Sequence, residues 1–305
     1  MQVSVARLPW YAAGLVVIVA TAVTGCKANS SASAGSSSPA SASAVPSSTA
    51  PANALNAVKL AAKTSSSANS FTGTMDLQST VKPGATTSSG STGAVSMTAT
   101  FAEQLHPSLL ASVDIESLSS GGTSLPGGLA EVVTPSTLYL KWSFLTQEMH
   151  ESKPWLAIPV SSLNGSGINL SQIFSQATGS GPLTQSQLLQ GATSVRQVGT
   201  GSIDGVAVTE YTGTFPLQKS LSYLSGSAKT EVQQAMASAG FSTATFTVWI
   251  DGQHVTRKAV ITEVGKSVTE TVTTTITSIN QPVNIAVPTS AQTDQLSGSE
   301  LSGLS

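Results

Sequence analysis

The sequence predicts an α+β fold, with antiparallel strands interrupted by helices. Three observations lead there. Several stretches alternate apolar and polar residues with period two. Two Asp-Gly pairs separate such stretches. Segments of helical period, bounded by Pro or Gly, fall between them.

A first helix is expected over Ala54–Lys63, where Leu55, Val58 and Ala62 share a face. Strands follow. Phe71, Gly73, Met75 and Leu77 alternate with Thr72, Thr74, Asp76 and Gln78. Val95, Met97, Ala99 and Phe101 alternate with Ser96, Thr98 and Thr100. Leu109, Ala111, Val113 and Ile115 alternate with Leu110, Ser112, Asp114 and Glu116. Such strands bury one face and wet the other. Leu138–Ser143 and Trp155–Val160 read as two more.

Asp204-Gly205 joins Ser194–Ile203 to Val206–Phe215, and Asp251-Gly252 joins Thr245–Ile250 to Val255–Val264. Asp-Gly suits the positive φ angles of a type I′ hairpin. A last strand spans Val268–Ile279, with Val268, Val272 and Ile276 on one side and Thr on the other. Pro182–Gln190 reads as a helix stopped by Gly191. Leu217–Leu224 and Ala228–Ala239 read as a helical pair broken near Gly226 and ended by Gly240.

The ends are different. Arg7 precedes a predominantly apolar run, Leu8–Val23, of 16 residues. About 20 are needed to span a bilayer, so the run suits a signal sequence. Val23-Thr24-Gly25-Cys26 resembles a bacterial lipobox, with Val in place of the commoner Leu. Cleavage would leave residues 1–25 as signal peptide and Cys26 as the acylated N-terminus. Diacylglycerol supplies the two chains that stable anchoring needs. The other readings are an ordinary secretory signal with an incidental cysteine, or an uncleaved anchor helix. The expected address is the extracytoplasmic face of the cell membrane.

Residues 27–52 are mostly Ser, Ala and Pro. With Cys26 they read as a disordered tether reaching roughly 30 Å. Residues 53–289 form the expected folded domain, since all-β units of roughly 200–250 residues are common. Residues 290–305 read as a disordered tail.

Only 9% of residues are charged, and the formal net charge is −2. Such a chain offers no basic field for nucleic acid. One cysteine excludes an internal disulfide framework and any multi-Cys metal site. His106, His150 and His254 are scattered without metal-ligand spacing, so neither metal nor cofactor is expected. Gly265-Lys266-Ser267 lacks the earlier glycine of a phosphate loop and reads as a hairpin turn. No G-x-S-x-G elbow occurs. Asp114 and Glu116 lie two apart on the polar side of a strand and read as solvated. The inventory argues against an enzyme.

The stretches Leu138-Tyr139-Leu140-Lys141, Lys153–Pro159, Val195–Thr214 and Thr247–Asp251, in that order behind a lipobox, resemble the LppX/LprAFG-type lipoproteins of actinobacterial envelopes. The resemblance covers roughly residues 54–289. It implies a curved antiparallel sheet, a half-barrel like the LolA/LolB carriers, wrapped around helices. It also implies an apolar cavity that binds and transfers a lipid or glycolipid without covalent chemistry. It carries no ligand residues position by position.

From the residues alone, the expected lining is the apolar faces: Phe71, Met75, Met97, Phe101, Val113, Ile115, Phe246, Val248 and Ile250, with Val232 and the adaptable Met236 on a helix. The competing reading is that these side chains pack against one another, giving a non-catalytic interaction or signalling lipoprotein with a filled interior. Trp142, Trp155 and Trp249 read as packing or rim residues.

Overall fold

In the computed structural model, residues 51–82, 94–124, 128–143, 146, 151–159 and 182–296 are described. Cys26, the signal peptide, residues 27–50 of the tether, His150, Val160 and residues 297–305 lie outside them.

The chain begins with helix α1, Pro51–Ser66. It starts inside the segment expected as tether, because Pro51 suits a first helical position and an Ala-rich run follows. Ala54, Val58, Ala61, Ala62 and Ser65 are buried along one stripe. Mostly small, they let the helix lie close to the strands beneath.

Among the described residues, thirteen strands follow in one open, curved sheet. They are β1 Ser70–Val81, β2 Val95–Gln104, β3 Leu110–Ser120, β4 Thr123–Ser124, β5 Leu129–Val133, β6 Thr137–Lys141 and β7 Trp155–Pro159, then β8 Ser194–Ile203, β9 Val206–Pro216, β10 Thr243–Asp251, β11 Thr256–Val264, β12 Val268–Ile279 and β13 Thr293–Gln295. Helix α2, Pro182–Leu189, precedes β8. Between β9 and β10 lie α3, Leu217–Ser220, a 3-10 turn at Leu221–Tyr223, and α4, Gly226–Ala239. Gly240 ends α4 in the left-handed region, its N–H returning to Met236 O at 2.9 Å.

The spatial order is β13-β7-β6-β5-β3-β2-β1-β12-β11-β10-β9-β8, with β4 flanking β3. All pairs are antiparallel except β13 with β7. The sheet is therefore mixed rather than wholly antiparallel. Strand β12 lies mid-sheet, and the chain after it crosses to the far edge, where it runs alongside β7 in the same direction. This also corrects the tail. Residues 293–295 are paired strand, Leu296 is 2% exposed, and Asp294 accepts hydrogen bonds from Ser152 N and Lys153 N at 2.9 and 2.8 Å.

Asp204-Gly205 makes the expected turn, with φ of 49° and 80°. Asp251-Gly252 does not. Asp251 ends β10, and the positive φ falls on His254. The cause is the Asp251 carboxylate, which accepts from Gln253 N, Val255 N and Arg257 Nε at 2.8, 2.9 and 2.7 Å. The chain folds around its own side chain and lengthens the loop. Burial pushes the Asp251 pKa up, but the bonds from Val255, Arg257 and Gln253 outweigh this and hold it below the ordinary range.

Among the described residues, two apolar clusters lie in the interior. One joins α1, α2, α3 and α4 to β8–β12 and includes Phe215 and Phe246, whose rings stack 6.0 Å apart. The other joins β1, β2, β3 and β5 and takes in Trp142 and Ile276. Among the described residues no helix is long and apolar enough to cross a membrane.

Candidate functional site

Cross-strand register sets residues of neighbouring strands side by side, so the inner face is a set of rows. One row runs Ala259, Thr274, Met75, Ala99, Ile115 and Leu129. The next runs Ile261, Val272, Leu77 and Met97. Beyond it lie Glu263, Glu270 and Ser79.

The predicted lining residues are all inward-facing, but they do not form one wall. Phe71, Met75, Met97, Phe101, Val113 and Ile115 belong to the second cluster. Phe246, Val248, Ile250 and Val232 belong to the first, with half-buried Met236 packed on it. Two glycines shape these walls. The Phe101 ring lies over Gly73 and the Phe246 ring over Gly213. A Cβ on Gly73 would stand 2.8 Å from Phe101 Cζ, and one on Gly213 would stand 2.7 Å from Phe246 Cζ. Trp142 packs in the second cluster, and Trp249 carries Lys258 Nζ 5.3 Å above its ring.

The helices cover the face unevenly. Helix α1 packs on β8, β10, β11 and α2. The described helices contact β8, β9, β10 and β11 most, and Leu183 of α2 also packs on the cluster of β1, β2, β3 and β5. At the seam, Ser65, Phe71, Gln185, Ser186, Leu189, Thr256, Ala259, Thr274 and Ile276 enclose a cavity of about 10 Å³. That is room for one water molecule. The seam is polar: Ser65 Oγ accepts from Thr256 N at 3.3 Å, and Thr274 Oγ1 is buried without a partner among the described residues.

Four interior glutamates are what the sequence reading missed. Burial pushes the pKa of Glu103, Glu131 and Glu263 up to about 7. Burial, and Glu263 alongside, push Glu270 up to about 8. Glu131 Oε1 has no partner among the described residues. The signal was present for three of them. Glu103 extends the alternating series Met97, Ala99, Phe101 by one step. Glu263 extends Ala259 and Ile261, and Glu270 falls between Val268 and Val272. Near neutral pH such carboxyls are partly protonated and both donate and accept hydrogen bonds.

Asp114 and Glu116 are exposed on the outer face, and His106 and His254 are exposed as well. Among the described residues, no three His, Cys, Asp or Glu side chains come together to hold a metal.

No protein-family model matches the chain, and no curated protein does. It is similar to solved structures. LprF from Mycobacterium bovis matches over 80% of this chain and 99% of its own, at 15% identity and a TM-score of 0.46. The lipoprotein LppX from Mycobacterium tuberculosis matches over 77% and 99%, at 19% identity and a TM-score of 0.42. An uncharacterized conserved protein from Thermus thermophilus matches over 80% and 99%, at 10% identity and a TM-score of 0.32. LprF and LppX are of the type whose resemblance the sequence carries. Identities and TM-scores this low transfer no activity and no residue role.

Proposed function

We propose that this chain is an envelope lipoprotein, anchored through acylated Cys26 on the extracytoplasmic side of the cell membrane, that binds and transfers a lipid or other amphiphile between its sheet and helices. The observation that carries this reading is the uneven cover of the inner face. One half is covered by α1, α2, α3 and α4, while the cluster of Met75, Met97, Phe101, Val113 and Ile115 receives from the described helices Leu183, at the start of α2. Methionine and phenylalanine make an adaptable apolar wall. Burying a few hundred Å² of acyl surface there contributes several kcal/mol at about 25 cal/mol per Å². These side chains are already buried, so a chain enters by displacing what covers them.

The second reading is a partner-binding lipoprotein with a filled interior. It is favoured by the mutual packing of the predicted lining residues, since Phe71, Met75, Met97 and Phe101 are buried together in one cluster. Native mass spectrometry of the full chain after gentle purification separates the two. Co-purified lipid, lost in Met97→Trp, is expected. Ligand-free protein that takes up no added lipid overturns the carrier reading.

A further inference from the structure

The inner face ends, beside its apolar wall, in a polar row. Glu263 on β11 pairs in register with Glu270 on β12, and Glu270 with Ser79 on β1. Glu270 is 8% exposed and Ser79 4%. Neither side chain makes a hydrogen bond to any described residue, and Glu263 makes none either. Two lysines lie near by, but neither neutralises the row. Lys82 Nζ donates to Gly265 O at 2.7 Å, and the stem of Lys266 lies along Gly240. Among the described residues, the only ion pairs are Lys153–Asp294 and Arg257–Asp251.

The row is thus a set of acceptors with no donor among the described residues, two of its side chains buried and Glu263 half-buried, at the end of an apolar face. Its oxygens keep a path to solvent, so a ligand can reach them, and a donor that meets them there is held by charge-assisted bonds. One residue pair along each strand leads to the row of Ile261, Val272, Leu77 and Met97, where an acyl chain would lie. We propose that Glu263, Glu270 and Ser79 form a headgroup site for a primary ammonium, carried by an amphiphile whose chain follows that apolar row. This rests on the amphiphile reading above and narrows its ligand.

The chemistry favours an ammonium over its rivals. It has three N–H donors, and the row offers an acceptor from each of three side chains. Carboxylate–ammonium bonds are the strong, charge-assisted kind, and more so away from water. Calcium takes six to eight oxygens and magnesium a hydrated octahedron, which three protein groups at a sheet end do not supply. A quaternary ammonium has no N–H and is bound by aromatic faces; no aromatic side chain belongs to the row.

The test is isothermal titration of the full chain, held in amphipol, with hexylammonium, hexanol, ethylammonium and Ca²⁺. Hexylammonium is expected to bind about 10-fold or more tighter than hexanol. Glu270→Gln is expected to erase that preference while leaving hexanol binding intact, with Ser79→Ala reducing it in part. Equal binding of hexylammonium and hexanol overturns the headgroup site but leaves the amphiphile reading. No binding of either overturns both. Ethylammonium binding as tightly as hexylammonium makes this a free-amine site and overturns the link to an acyl chain. Calcium binding that Glu270→Gln abolishes overturns the ammonium assignment.

Discussion

Glu270→Gln is also the most direct probe of the interior's electrostatics. Glu270 is 8% exposed, and its pKa rises from 4.5 to about 8 through burial and the neighbouring Glu263. The folded chain therefore holds a proton that the unfolded chain releases between these values. Stability is greatest below the unfolded value and falls as pH rises toward the folded one. At about 1.4 kcal/mol per pH unit, the ceiling on this loss is about 5 kcal/mol. Glu263 shares the penalty, so removing one carboxyl recovers only part of it, roughly 1–3 kcal/mol. Glutamine keeps the shape and cannot ionise. The variant is expected to match the parent near pH 5 and to exceed it by that amount near pH 8.5, read as urea midpoints by tryptophan fluorescence. A variant destabilised equally at both pH values refutes the reasoning. It would mean that the carboxylate is ionised and satisfied in the fold, and the ammonium site would lose its empty acceptor as well.

Gly73→Ala sets a Cβ against Phe101 Cζ and the Thr275 carbonyl. Overpacking of this kind costs about 1–3 kcal/mol, read as a lowered thermal midpoint. A neutral result would mean that the Phe101 ring does not lie over that strand. Asp251→Ala removes three bonds that shape the β10–β11 loop and leaves Arg257 unpaired. Loss of about 3 kcal/mol is expected near neutral pH. Because the Asp251 pKa is held low, its contribution is present above the unfolded value of 3.8 and vanishes as pH falls through the folded one. Parent and variant midpoints should therefore converge in acid, and a constant gap down to about pH 2 would contradict the assignment. Cys26→Ala is expected to abolish acylation, seen as loss of the lipid mass, and to release the folded chain from membranes. Retention through carbonate washing would show an uncleaved helix instead.

Strand existence was legible wherever one face is buried and the other wet. β1, β2, β3 and β12 alternate cleanly, and the strands follow the alternation. β5 was not legible, because Leu-Ala-Glu-Val-Val places its acid inward and two valines in succession. β13 is three residues held by pairing with β7 and by Asp294 gripping residues 152 and 153, a long-range cause that local patterning does not record. The Asp251 loop misled for a related reason: the residue pair matched a turn type, while the carboxylate's reach decided the geometry. Among site residues, inward direction was readable from parity. Division into two clusters was not, since it depends on where α1 and α2 lie.

That division bears on how a carrier could work at all. Close-packed interiors resist insertion, so a protein that admits a chain through its own core risks unfolding. Here the cluster under the helices holds Val58, Leu189, Phe215, Leu217 and Val248 at 0–1% exposure, together with the stacked phenylalanine pair. The wall of Met75, Met97 and Phe101 belongs to a separate cluster, and hydroxyls of Ser65, Ser186, Thr256 and Thr274 lie along the seam between them. Helix α2 links the two, with Leu183 on the second cluster and Leu188 and Leu189 in the first, while the other contacts of the first cluster involve no side chain of the second. Stability and ligand capacity then reside in different side chains. Truncations in the helix-covered half should lower the unfolding midpoint with little change in lipid preference, whereas bulky substitutions at Met97 should change lipid uptake beyond what their overpacking cost of about 1–3 kcal/mol accounts for.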